Sequence, residues 1–204
     1  MFLVLDFSKT FNMAIIEKNS FFQRELKAKK NYSEILYKEI DNFLHKHNKN
    51  VKNIKAIYII TGPGSFTGIR VALTFAKALA LIININIFGL SKFELLNLCL
   101  EKKAAKKRKR IFIHLKKNQF FIQNFVDNNP LDLPKLINFD HYRDQYRKDI
   151  TYISDKELLF SLLNKNSKEN FFFVNYSLNQ LPQLIKKNMI NINEPKPLYI
   201  SNYF

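Results

Sequence analysis

The sequence predicts an α/β protein, and three observations predict it. Short apolar runs near the start give way at Ser33 to a helical period. A near-continuous β-branched run, residues 54–60 (IKAIYII), then stands between two helical segments. A basic stretch, residues 102–110 (KKAAKKRKR), divides the chain into halves that each run from strands to helices.

Phe2 to Leu5 is a short apolar run closed by Asp6, the pattern of a buried strand. Residues 11–16 and 21–26 are two more such runs, separated by the turn-like Glu17-Lys18-Asn19-Ser20, so the first three strands read as an antiparallel meander. Leu36, Ile40, Phe43, Leu44 and His47 then recur at helical spacing, and Asn48-Lys49-Asn50 ends that amphipathic helix. The run at 54–60 is apolar on both faces, which suits a central parallel strand. A helix is expected over 67–83, a strand over 84–88, and a helix from the N-cap Ser91 to about Leu100, with Glu94 completing a capping box.

Beyond the basic stretch, residues 110–115 and 119–126 read as a hairpin, with Asn128-Asn129-Pro130 as a turn. A strand at 151–154, a helix at 155–163, a strand at 171–175 and a helix at 178–189 interrupted by Pro182 follow. The tail 194–204 reads as a docked arm. The expected organisation is therefore an N-terminal subdomain at 1–101, a basic linker at 102–110 and a shorter C-terminal subdomain at 111–204.

The 204 residues are 47% hydrophobic and 14% aromatic, enough apolar material for a core and unlike a disordered chain. The 33 basic against 17 acidic residues, net +16, favour anionic partners through long-range attraction. Lysines spread along the chain point to a general A+T-rich codon bias as much as to a nucleic-acid face. A single cysteine, Cys99, rules out an internal disulfide and sits in an apolar run as a packing residue. The start lacks a signal-peptide pattern, and the longest unbroken apolar block, 78–83, is shorter than a membrane span, so a cytoplasmic location is expected.

Three of the four glycines fall within Thr61-Gly62-Pro63-Gly64-Ser65-Phe66-Thr67-Gly68. Glycine permits positive φ and close approach by another backbone or a ligand. Pro63 shapes the turn, and Ser65 or Thr67 can cap the helix that follows. A phosphate cradle is one reading. It is not a Walker loop, because Ile69-Arg70 stands where a lysine is needed, and it lacks GxGxxG spacing. The helix behind it carries Ala72, Ala76 and Ala80 on one line, a smooth stripe against which another helix or its own sheet can pack closely.

The run TGPGSFTGIRVALTFAKALA resembles the signature of the TsaB (YeaZ) family, in which a GPGSFTGLR-type loop opens an Ala/Gly-rich helix. LVLDFSKTFNMAII resembles that family's start, NYSEILYKEIDNFL its first helix, GLSKFELL the turn into its third, and PLYIS its closing Pro-x-Tyr-Leu-Arg. The resemblance implies an actin-like, ribonuclease-H-related fold in two mixed-sheet subdomains. It implies a non-catalytic paralogue of TsaD/Kae1 that dimerises with the TsaD catalytic subunit through N-terminal helices. The ATPase TsaE joins them, and threonylcarbamoyl is transferred to adenosine beside the anticodon of tRNA. The resemblance implies no cofactor, indirect or weak tRNA contact, and a homodimer as an alternative when the chain is alone. On this chain the implied partner-binding residues are Leu36, Ile40, Ile69, Ala72, Leu73, Ala76, Lys77 and Ala80. The motif loop is Gly62, Pro63, Gly64, Ser65, Phe66, Thr67, Gly68 and Arg70.

The sequence departs from the family pattern at polar positions. Phe7 follows Asp6 where the family has Thr, His114-Leu115-Lys116 stands for Asp-Ala-Arg, Tyr32 for a His, and Ser201 for the final Arg. His45 and His47 are two apart, about 200° around a helix, so they cannot easily share a metal. Asp6 without a second facing acid is weak for Mg-ATP hydrolysis and reads as a turn-forming carboxylate. The competing reading is an actin-like ATP-dependent phosphotransferase or a glycoprotease-like peptidase. It would need a second glycine-rich loop, and no glycine occurs after Gly89.

Overall fold

The computed structural model describes residues 1–26, 32–100, 108–141, 146–157, 170–174, 176–182, 195–198 and 200. The chain forms two compact units, Met1–Ser91 with Leu178–Leu198, and Lys92–Ser177 with Tyr199–Phe204.

The first unit is built on a five-stranded sheet of β1 (Phe2–Asp6), β2 (Phe11–Ile16), β3 (Phe21–Leu26), β4 (Ala56–Ile60) and β5 (Asn86–Leu90). Their order is β3-β2-β1-β4-β5. The meander is antiparallel, with Phe2 opposite Ile16 and Ile16 opposite Phe21. On the other side of β1, β4 and β5 run parallel to it. All five residues of β4 are buried, as a central parallel strand requires.

Alternation along the strands sends Leu3, Leu5, Met13, Ile15, Ile57 and Ile59 to one face. There they meet α1 (Tyr32–Lys46) through Leu36, Ile40, Phe43 and Leu44, and α2 (Phe66–Ile83) through Ile69, Ala72, Leu73, Ala76, Leu79 and Ala80. Asn84 closes α2 in the left-handed region (φ 54°), its N–H donating to the Ala80 carbonyl, so β5 starts two residues later than the sequence pattern implies.

In the second unit, β6 (Arg108–Lys116) and β7 (Gln119–Val126) form the expected hairpin. β10 (Thr151–Ser154) and β11 (Phe171–Phe173) add in parallel beyond β6. The short β8 (Asn129–Pro130) and β9 (Lys135–Asn138) both pair with β7, and sequence pattern reveals neither. The core is aromatic: Phe112, Phe120, Phe139, Tyr152 and Phe171 pack together, with Tyr152 stacked on Phe171 at 4.4 Å between centroids.

The boundary differs from the expected one at 101/102. α3 (Lys92–Leu100) belongs to the second unit, because it is apolar nearly all round and a short polar network ties it there. Asn97 donates from Nδ2 to the Asp127 carbonyl (3.0 Å), and the buried Lys109 ammonium donates to Asn97 Oδ1 (2.9 Å) and to that carbonyl (3.2 Å). Arg108, Lys109 and Arg110, expected in the linker, are strand. Residues 102–107 of that linker, the body of the helices expected at 155–163 and 178–189, and most of the tail lie outside the described residues. Of the tail, Pro195–Leu198 joins the first unit, where the Leu198 N–H donates to the Thr61 carbonyl at 3.0 Å.

Candidate functional site

The loop between β4 and α2 is shut against its own fold. Gly62 has φ +109°, a conformation L side chains rarely adopt, and the Gly62–Pro63 peptide is cis. A Cβ on Gly64 would lie 2.1 Å from the carbonyl oxygen of Ser8, and one on Gly68 would lie 2.1 Å from that of Phe7. Both glycines therefore exist to admit the β1–β2 connection.

Hydrogen bonds complete that clasp. The Ser65 N–H donates to the Ser8 carbonyl at 2.6 Å, and Ser65 Oγ caps α2 by accepting from the Gly68 N–H at 3.2 Å. Ser65 thus acts as an N-cap. Asp6, buried at the end of β1, shapes the connection by accepting from the Ser8 N–H (3.1 Å) and hydroxyl (2.5 Å). Two donors that a phosphate cradle would offer are already used. At the exposed rim, the Arg70 guanidinium lies 3.8 Å from the centre of the Phe66 ring, a cation–π contact, with Thr67 exposed beside it.

The residues expected to bind a partner lie mostly inside the first unit. Leu36, Ile40, Ile69, Ala72, Leu73, Ala76 and Ala80 are all buried in the core of the first unit, so the alanine stripe packs on its own sheet. Lys77 alone of that set is exposed. Outside that stripe, α2 exposes Thr74, Ala78, Leu81 and Ile82, while Val71 and Phe75 are half-buried against the core. Leu81 is 85% and Ile82 79% exposed, and Tyr37 on the neighbouring α1 is 58% exposed. By length and composition the 18-residue α2 could cross a membrane, yet only 39% of it is buried inside the fold. The signal was in the sequence: apolar residues at the end of α2 extend beyond the stripe that its own sheet can cover.

The remaining candidates are accounted for locally. His45 Nε2 lies 3.5 Å from Asp41 Oδ1, whereas the His47 ring stacks on Phe22 at 4.0 Å. His114 Nε2 is 3.0 Å from the Lys117 carbonyl. Among the described residues no group of three or more His, Cys, Asp and Glu could hold a metal ion. Burial pushes the Cys99 thiol up to about 11, the property of a packing thiol and not a nucleophile. Burial also raises the Asp155 carboxyl, against the His114 N–H that donates to it at 2.7 Å.

The family model described as TsaD, tRNA N6-adenosine threonylcarbamoyltransferase, matches residues 25–107. A tRNA threonylcarbamoyladenosine biosynthesis protein TsaB of Buchnera aphidicola subsp. Schizaphis graminum is 25% identical over 142 residues, 67% of this chain and 68% of that protein. The protein of the same description in Buchnera aphidicola subsp. Acyrthosiphon pisum is 24% identical over 187 residues, 86% and 84% of the two chains. The structure of YeaZ from Pseudomonas aeruginosa aligns with a TM-score of 0.64 at 12% identity, over 98% of this chain and 99% of that one. A Bacteroides thetaiotaomicron protein with an actin-like ATPase fold aligns at 0.55 and 13% identity, over 91% and 95%. The fold is thus actin-like, its glycine loop is explained atom by atom, and the chain is similar over most of its length to proteins described as tRNA threonylcarbamoyladenosine biosynthesis protein TsaB.

Proposed function

We propose that this chain is the non-catalytic partner subunit in the formation of threonylcarbamoyladenosine beside the anticodon of tRNA. It acts in the cytoplasm by dimerising with the TsaD catalytic subunit, with the ATPase TsaE joining the pair. The name of the curated relatives supports the pathway. The observation that carries the mechanism is the uncovered apolar face of α2, with Leu81 and Ile82 almost fully in solvent. Burying such side chains contributes roughly 1.5–3 kcal/mol each, enough for two of them to anchor a helix–helix interface. A second copy of the chain can use the same face when the partner is absent.

The chain's share of the work is presentation. The Ser8–Ser65 clasp fixes the start of α2 and the inward alanine stripe seats it on the sheet, so the outward face is held rigid before any partner arrives. The test is co-purification of the chain with the catalytic subunit. Leu81→Glu with Ile82→Glu is expected to abolish the complex while leaving the melting temperature of the chain within a few degrees, ~3 °C by surface-substitution energetics. Wild-type affinity in that double variant would end the docking claim. ATP turnover by the isolated chain that is lost on Asp6→Asn would favour the phosphotransferase reading instead.

A further inference from the structure

The starts of the parallel strands in the first unit meet the ends of its helices at one pole. Phe2 pairs with both Ile16 and Ala56, and Ala56 pairs with Asn86. Lys55, just before β4, therefore sits beside the start of β1, and its N–H donates to the Met1 carbonyl at 2.9 Å. The last turn of α1 brings Lys46, and the 3-10 turn Val51–Asn53 brings Lys52.

Lys46, Lys52 and Lys55 are exposed, and none has a carboxylate within ion-pair distance among the described residues. The neighbouring Lys49 is neutralised by Glu17, 2.6 Å away. A lysine in the last turn of a helix favours the helix dipole, which accounts for Lys46 but not for the other two. The segment is also fixed in shape. Asn50 and Asn53 cap one another, the Asn50 side chain accepting from the Lys52 N–H (2.9 Å) and the Asn50 N–H donating to Asn53 Oδ1 (2.8 Å).

We propose that this pole binds the sugar-phosphate backbone of RNA, with Lys46, Lys52 and Lys55 as its phosphate contacts. Lysine point charges, here on a helix end, a capped turn and the approach to a strand, track phosphates and carry no base readout, which needs groove-entering or stacking side chains. Calling the polyanion RNA rests on the tRNA role proposed above. The placement agrees with that role: the apolar face of α2 ends at Leu81 and Ile82, and the chain then enters β5 at Asn86, opposite Ala56 and next to Lys55. RNA held here would lie at the end of the partner-docking face.

The test measures binding of an unmodified tRNA transcript to the full chain across a salt series. The triple variant Lys46→Gln, Lys52→Gln, Lys55→Gln is compared with a control of equal charge loss, Lys116→Gln, Lys117→Gln, Lys135→Gln. The pole variant is expected to flatten the log–log salt slope by about three, one per phosphate contact, and to bind ~10-fold or more weakly at about 50 mM salt. The control is expected to stay within about twofold, as a change in diffuse charge alone would. Equal losses in both triples, or none in the first, overturn the proposal. So does a loss seen only with phosphatidylglycerol vesicles while tRNA binding is intact. Both triples should still co-purify with the catalytic subunit. Failure of the wild-type chain to do so counts against the subunit reading, whereas the RNA result stands on its own.

Discussion

The Ser65 amide reaches across to the carbonyl oxygen of Ser8 at 2.6 Å, and Gly64 leaves that same oxygen the room it occupies. The most recognisable stretch of the chain is therefore an intramolecular joint between the β1–β2 connection and α2. Gly64→Ala should destabilise the first unit by about 1–3 kcal/mol, since a backbone carbonyl cannot move aside as a side chain can. Urea unfolding measures it. A loss under half a kilocalorie, ~0.5 kcal/mol, would mean that the joint is loose.

Ala76 is fully buried, and its helix neighbours Leu81 and Ile82 are not. Ala76→Arg places an unpaired charge in the core and should cost more than ~3 kcal/mol, enough to leave the chain unfolded or insoluble by circular dichroism. The same change cannot serve as a clean interface probe. A well-folded Ala76→Arg chain would show that the alanine stripe faces out.

Lys109, Asn97 and Asp127 hold α3 to the β6–β7 hairpin. Lys109→Met removes the ammonium and leaves Asn97 Oδ1 without that donor, at an expected cost of about 1–3 kcal/mol. In a double-mutant cycle with Asn97→Leu the two changes should couple by more than ~0.5 kcal/mol. Additive effects would show that the network contributes nothing as a unit.

Asp155 titrates against its burial, so its folded-state carboxyl is raised above the unfolded value. A raised acid binds its proton more tightly when folded, so ionisation costs stability as pH rises through the ordinary carboxylate range and beyond. Asp155→Asn keeps an acceptor for the His114 N–H without the charge. It should melt higher than wild type at neutral pH, and the gap should close as pH falls below the ordinary value near ~3.9. A gap that widens in acid would reverse this assignment.

Most strands and both long helices were legible because their apolar periods are long and unambiguous. What fills the glycine loop was not: Phe7 and Ser8 lie more than fifty residues upstream of Gly64 and Gly68, and no local pattern announces that meeting. Which face of α2 turns inward was not legible either, because Ala72, Ala76 and Ala80 look smooth and Leu81 and Ile82 add apolar residues outside that stripe. Periodicity cannot choose between two apolar faces; the sheet does. β9 escaped because Lys135–Asn138 is only four residues long and lacks buried alternation.

The Leu198 N–H on the Thr61 carbonyl, and Pro195 packed where a side chain on Gly89 would go, close the first unit with residues that come after Lys92–Ser177 of the second one. During synthesis the sheet and its helices can assemble early, but this last strap cannot be placed until the ribosome has made and released Leu198. Closing a loop of more than a hundred residues adds only a logarithmic entropy cost, so the delay is one of timing more than of stability. A nascent chain stalled before that point would leave the Thr61 carbonyl, at the mouth of the glycine loop, without its strap.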